Sequence, residues 1–159
     1  MSTEVPAPVG GPPSAADDET AGPPYRHIRS FALRRGHVTQ GQRRAFDELL
    51  PRYGVPYSPV PVDLAAHFGR GAPTVLEIGF GMGETTAAIA QARPEDDFLG
   101  IEVHAPGVGS LLKRIRELGL TNVRVIRHDA VEVVAAMLAP STLAGVQVFF
   151  PDPWPKKRH

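Results

Sequence analysis

From Val38 onward the chain switches between two hydrophobic periods, and that switching predicts its architecture. Thr39-Gln40-Gly41-Gln42 reads as a capping box, in which the Thr39 hydroxyl and the Gln42 amide satisfy N–H groups that a helix start leaves open. Ala45, Phe46, Leu49 and Leu50 then share one helical face, and Pro51 is expected to close the helix. Residues 51–73 are rich in Pro and Gly, with a short helix predicted around Asp63 to Phe68. Beyond them come four short β-rich runs: Thr74 to Ile78, Phe98 to Val103, Val123 to Arg127 and Val146 to Phe150. Helical patterns separate these runs. Glu84 to Arg93 stops at Pro94, and Val131 to Leu138 stops at Pro140. The helix between those two has Pro106 at its first position, Val108, Leu111, Leu112, Ile115 and Leu118 on one face, and Gly119 just past its end. The β-α-β-α-β-α-β order predicts an α/β fold, a parallel sheet with helices on both faces.

Length and composition narrow the picture. A chain of 159 residues is at most one domain and long enough to bury a core. The absence of cysteine excludes disulfides and thiolate metal sites, and it fits a reducing, cytoplasmic setting. No apolar run approaches the roughly 20 residues of a membrane span, and no signal-peptide pattern opens the chain. The net charge is zero but unevenly spread. Residues 1–24 hold Glu4, Asp17, Asp18 and Glu19 without a single Lys or Arg, and with six prolines they read as a disordered acidic tail. Residues 25–44 hold Arg26, Arg29, Arg34, Arg35, Arg43 and Arg44 without one acid, which favours a phosphate-backbone partner over a merely solvated surface.

The candidate chemistry sits where predicted strands end. Glu77-Ile78-Gly79-Phe80-Gly81-Met82-Gly83 is a glycine-rich strand-to-helix turn that lets a ligand approach the backbone. A dinucleotide fingerprint would place glycine at position 84, which is Glu84, so a nicotinamide-dependent dehydrogenase is a distant reading. An acid two residues before the first glycine is instead a feature of adenosylmethionine sites. Glu102, closing the second strand, can accept hydrogen bonds from both ribose hydroxyls of an adenosine ligand. Asp129 reads both as a helix N-cap with Glu132 as its capping-box partner and as an acid touching adenine. Asp152 is locked between Pro151 and Pro153, with Trp154, Lys156, Lys157 and Arg158 following. A rigid acid, an aromatic plate and positive charge suit an extruded base on a polyanion. The six histidines show no ligand spacing, so no metal is expected.

Arg29-Ser30-Phe31 through Arg34-Arg35-Gly36, Thr39-x-x-Gln42, Glu77-Ile78-Gly79-Phe80-Gly81, Gly100-Ile101-Glu102-Val103-His104 and above all Phe149-Phe150-Pro151-Asp152-Pro153-Trp154-Pro155-Lys156 resemble the bacterial tRNA (guanine-N7-)-methyltransferase family over residues 28–159. The resemblance implies a Rossmann-like class I methyltransferase fold, S-adenosyl-L-methionine as cofactor, tRNA as partner and 7-methylguanosine in the variable loop as product. It implies cofactor contacts at Glu77, Gly79, Glu102, Asp129 and Asp152, an active-site role for Asp152, a substrate contact at Lys156 and RNA contact beginning at Arg158. On this reading residues 1–24 are a tail, 25–73 a basic RNA-facing segment with a lead-in helix, and 74–159 the cofactor-binding domain. No membrane and no obligate protein partner are expected. Family members continue past His159, so the expectation is a C-terminally truncated chain, strands 1–4 of seven in the order 3-2-1-4. The competing reading is an inactive fragment with at most weak cofactor or tRNA binding. Asp152 could accept from the guanine N1–H and amino group or from the methionine ammonium, and the sequence leaves both open.

Overall fold

The computed structural model describes residues 36–149. Arg26, Arg29, Arg34, Arg35, Asp152, Lys156 and Arg158 lie outside the described residues. Nine elements follow in chain order: α1 (Gln40–Tyr53), α2 (Leu64–Phe68), β1 (Thr74–Ile78), α3 (Glu84–Ala92), β2 (Asp97–Ile101), α4 (Ala105–Leu118), β3 (Val123–Ile126), α5 (Ala130–Ala136) and β4 (Gly145–Val148). The four strands form one parallel sheet, as the alternating pattern predicts, in the order β3-β2-β1-β4 that the family resemblance implies. The winding direction reverses at β1, which has β2 on one side and β4 on the other. In open α/β sheets the ligand crevice forms at that reversal, outside the carboxyl ends of the strands.

Two cores hold the layers. Val75, Phe98, Val123 and Val125 meet Ala45 and Tyr53 of α1, Ala87 and Ala90 of α3, and Val108, Leu111, Leu112 and Ile115 of α4. On the opposite face Leu76, Leu99, Ile101 and Ile126 meet Leu64 and Phe68 of α2 and Val133 and Met137 around α5. Burying each such large side chain fully stabilises the fold by roughly 1.5–3 kcal/mol. The capping box at Thr39 forms, with Gln42 Oε1 accepting from Thr39 N–H at 2.9 Å and Thr39 Oγ1 from Gln42 N–H at 3.2 Å.

Several boundaries differ from expectation for identifiable reasons. Pro51 lies inside α1 rather than closing it. Its ring removes one N–H, but Gly54 N–H still bonds Leu50 O at 2.8 Å, and the buried Tyr53 ring anchors the last turn. Leu118 is exposed, and Leu120, beyond Gly119, takes the buried position instead. At 3.6 residues per turn, ten residues after Val108 bring Leu118 to the rim of the apolar face. β1 matches its apolar run, while the other three strands end before theirs do: Glu102 and Val103 lie beyond β2, Arg127 beyond β3, and Phe149 beyond β4. The Glu102 N–H nevertheless continues the ladder to Ile126 O at 3.1 Å.

Residues 54–62 form a strap across the second core. Val55 N–H bonds Val125 O at 2.8 Å, and Val62 N–H bonds Met137 O at 2.9 Å. At the amino end of the sheet, Arg70 grips the buried Asp97 through Nε at 2.9 Å and Nη2 at 2.7 Å, and also reaches the carbonyls of Pro94 and Asp96. Among the described residues β4 ends the sheet, with Val146 57% and Val148 50% exposed. Both side chains share the face of Leu76 and Ile78, their register partners, while Gln147 lies on the face of Glu77.

Candidate functional site

The glycine turn is built around residues that L side chains rarely tolerate. Gly79, Gly81 and Gly83 have φ of 73°, 59° and 74°, all in the left-handed region, and nothing lies within 4 Å of the position a Cβ would take at Gly79 or Gly81. A ligand can therefore approach the turn from that side. Gly107, in the first turn of α4, lets the helix pack directly on the turn, because a Cβ there would stand 2.1 Å from Gly81 O. Glu84 opens α3, where a negative charge complements the helix dipole, and Arg114 of α4 pairs with it at 2.6 Å.

Glu77 sits at the carboxyl-terminal part of β1 with only 2% of its surface exposed. Burial pushes its carboxyl above the ordinary value of 4.5, opposed in part by the neighbouring Thr86 hydroxyl. The Thr86 hydroxyl is its hydrogen-bonding neighbour, although neither Glu77 Oε2 nor Thr86 Oγ1 makes a bond of ordinary geometry. A buried acid in that condition calls for a cation or a donor.

Glu102 is half-buried just past β2, and its carboxylate organises the loop around it. Oε2 accepts from Gly81 N–H at 2.9 Å, and Oε1 accepts from Val103 N–H at 2.8 Å and His104 N–H at 3.0 Å. An ionised carboxylate has about four acceptor positions, so one remains on Oε2. The expectation of two ribose hydroxyls on this acid becomes one hydroxyl unless the Gly81 contact opens.

Asp129 caps α5 by accepting from Val131 N–H at 2.9 Å. The Glu132 carboxylate meets the ring of His128. The His128 ring also stacks on Tyr57, with ring centroids 3.8 Å apart. Tyr57 reaches it from the strap, an approach that residue spacing gives no sign of. Glu77, Gly79, Glu102 and Asp129 thus gather at the carboxyl ends of β1, β2 and β3, together with the glycine turn. Sequence reasoning missed Thr86 and Gln147 beside Glu77. The signal available for Gln147 was a polar residue inside an otherwise apolar strand. Among the described residues, no group of three or more His, Asp or Glu side chains is arranged to hold a metal ion, and no helix is long and apolar enough to cross a membrane.

The arrangement has relatives. A tRNA (guanine-N(7)-)-methyltransferase of Bordetella pertussis is 57% identical over 169 residues, covering 100% of this chain and 66% of its own length. The enzyme of the same name from Methylobacillus flagellatus is 64% identical over 135 residues, covering 84% of this chain and 57% of its own length. The chain thus spans somewhat under two thirds of the length of the curated relatives it matches. A solved Haemonchus contortus phosphoethanolamine N-methyltransferase 2 in complex with S-adenosyl-L-methionine covers 73% of this chain and 30% of its own, at 18% identity and a TM-score of 0.41, a likeness that carries no argument. The family model described as "Putative methyltransferase" matches residues 71–159. With more than half of its length inside that match, the chain belongs to this methyltransferase family.

Proposed function

We propose that the protein transfers a methyl group from S-adenosyl-L-methionine to N7 of guanine in the tRNA variable loop, in the cytoplasm. The observation that carries this reading is the acid set around the glycine turn: Glu77 buried with an oxygen that makes no bond of ordinary geometry, and Glu102 with one acceptor position left beside Gly81. The names of relatives 57–64% identical to the chain support the substrate.

The residues present fit that cofactor. Its amino group and its sulfonium are both cationic, and carboxylates at Glu77, Glu102 and Asp129 line the strand ends. Bound there, the cofactor supplies a sulfonium methyl whose in-line transfer leaves a neutral thioether and requires no proton from guanine N7, which has a free lone pair. Glu102 holds a ribose hydroxyl, and Gly79 admits the ligand to the turn. Asp129 fixes the start of α5 and takes the adenine amino group. Asp152, stiffened by Pro151 and Pro153, brings negative charge to the purine as its positive charge grows. Lys156 and Arg158, with the arginines of residues 26–44, hold the phosphate backbone. Catalysis then rests on positioning the two reactants rather than on a strong base.

The test is methyl transfer to a tRNA transcript from methyl-labelled cofactor, followed by borohydride reduction and aniline scission at 7-methylguanosine. Label without scission at the variable-loop guanine overturns the N7 assignment. A second reading, cofactor or tRNA binding without turnover, is supported by the span of only 57–66% of the relatives' length. Calorimetric binding of cofactor with no label transferred would favour it.

A further inference from the structure

Gly36 is a glycine for want of space rather than for its backbone angle. It is not among the glycines with positive φ. Yet a Cβ there would stand 2.4 Å from His104 Nε2, 2.8 Å from His104 Cε1 and 2.8 Å from Pro106 Cγ. The Pro106 ring is fixed to its own backbone, so turning the His104 ring aside would not clear the space. The chain ahead of α1 therefore lies directly on the start of α4.

His104 does nothing for that helix start. It is the N-cap residue of α4, where Ser, Thr, Asp or Asn would accept from the first turn, and its side chain makes no capping hydrogen bond. Among the described residues its Nε2 is buried and has no hydrogen-bond partner, so the ring acts by its shape. Its backbone N–H, by contrast, is committed to Glu102 Oε1 at 3.0 Å. One residue thus joins the loop that carries Glu102 to the chain that leads into Arg35 and Arg34.

A second contact holds the neighbouring arginines. A Cβ at Gly109 would stand 2.8 Å from Gln42 Cβ and 3.2 Å from Phe46 Cε2, so α1 packs closely on α4 there. Gly107 and Gly109 are about 200° apart around a helix of 3.6 residues per turn. The start of α4 therefore turns one face to the glycine turn and the opposite face to α1. Arg43 and Arg44, exposed on α1 beside Gln42, depend on the Gly109 contact, and Arg34 and Arg35 on the Gly36 contact.

Resting on the tRNA reading above, we propose that His104 is a positioning residue for tRNA: its ring seats Gly36, and this sets where Arg34 and Arg35 meet phosphates beside the loop of Glu102.

The affinity of the chain for a tRNA transcript across a salt series tests this, with calorimetric titration of S-adenosyl-L-homocysteine beside it. His104→Ala removes the ring but keeps the N–H to Glu102, and Gly36→Ala sets a methyl group against the ring from the other side. The two changes lie in separate segments, so one reads the contact if the other fails to fold. Each should weaken tRNA binding and flatten the log–log salt slope by about 1.5, the value for two phosphate contacts, with S-adenosyl-L-homocysteine affinity unchanged. His104→Phe restores the ring's shape without its nitrogens and should keep the wild-type slope. An unchanged slope in both alanine variants, or equal losses of affinity for tRNA and S-adenosyl-L-homocysteine, makes the ring ordinary packing and overturns the positioning role. A His104→Phe slope as flat as that of His104→Ala overturns it too, since shape is then not what seats Gly36. A wild-type chain whose tRNA affinity ignores salt overturns the tRNA reading itself, and the role of His104 with it.

Discussion

Replacing Gly107 by alanine sets two opposed effects against each other at the point where α4 meets the glycine turn. In a helix, alanine is favoured over glycine by up to about 1 kcal/mol. Against that, the new methyl would lie 2.1 Å from Gly81 O, 3.1 Å from Gly81 C and 3.4 Å from Glu102 Cγ. A carbon and a carbonyl oxygen need roughly 3.3 Å, so α4 and the turn must separate by about 1 Å. Two of the three neighbours are backbone atoms, which cannot swing aside as a side chain can. Overpacking of this kind costs about 1–3 kcal/mol. The separation also breaks the Gly81 N–H to Glu102 bond, charge-assisted but exposed, hence near the low end of the roughly 1.5–3 kcal/mol range. The clash outweighs the helix gain by about 2–3 kcal/mol, a fall in Tm on the order of 10 °C. Displacing the turn by about 1 Å should also weaken S-adenosyl-L-homocysteine by up to about a hundredfold. Scanning calorimetry and titration calorimetry read the two effects. Gly41→Ala is the control, since nothing lies within 4 Å of that position in α1, and it should raise Tm. A Gly107→Ala chain with the wild-type Tm and affinity would refute the close approach of α4 to the turn.

Glu102→Ala should weaken cofactor affinity ten- to hundredfold, from roughly 1–3 kcal/mol for a lost buried polar partner, and titration with unchanged affinity removes Glu102 from the site. Arg70→Ala leaves the buried Asp97 carboxylate without its ion pair and should destabilise the fold by roughly 3–5 kcal/mol in urea unfolding, with under 1 kcal/mol refuting the pair's role. Because burial raises the Glu77 carboxyl above 4.5, the native state holds that proton longer than the unfolded chain. Stability should therefore fall as pH rises from 4.5 through the folded value. Glu77→Gln should remove that fall, so its stability advantage over wild type grows with pH and then levels off. A difference that does not change with pH in thermal melts would contradict this. Finally, tRNA affinity should fall steeply with salt, a log–log slope of about −3 if four arginines of residues 26–44 meet phosphates, and a slope near zero returns them to solvent.

Local signals in the sequence were enough to predict the order of elements, the capping box at Thr39, the glycine turn after the first strand and the acids at the strand ends. Each depends on a short-range rule: a repeat of 3.6 or 2 residues, the φ restriction of proline, the φ freedom of glycine, or an N–H that needs an acceptor three residues away. The parallel sheet was also predictable, because alternating strands and helices leave few ways to bury both of its faces, while the order β3-β2-β1-β4 followed only from the family resemblance. Position within an element was less secure. Pro51 stays inside α1 and Leu118 faces water, since burial against Tyr53's surroundings and the drift of a 3.6-residue repeat decide those sites.

Contacts between distant segments came only from the tertiary structure. Arg70 and Asp97 are 27 residues apart, and neither residue alone indicates a pair. Tyr57 meets His128 because the strap is tied to β3 and α5 by backbone bonds from Val55 and Val62. Gln147 stands beside Glu77 only because β4 adds to β1 in one register, and a slip of one residue would turn it to the other face, among apolar side chains. Registers and close approaches of this kind are selected by the packing of both cores at once. The acids and glycines could therefore be read along the chain, while the groups that surround them were decided by the folded sheet.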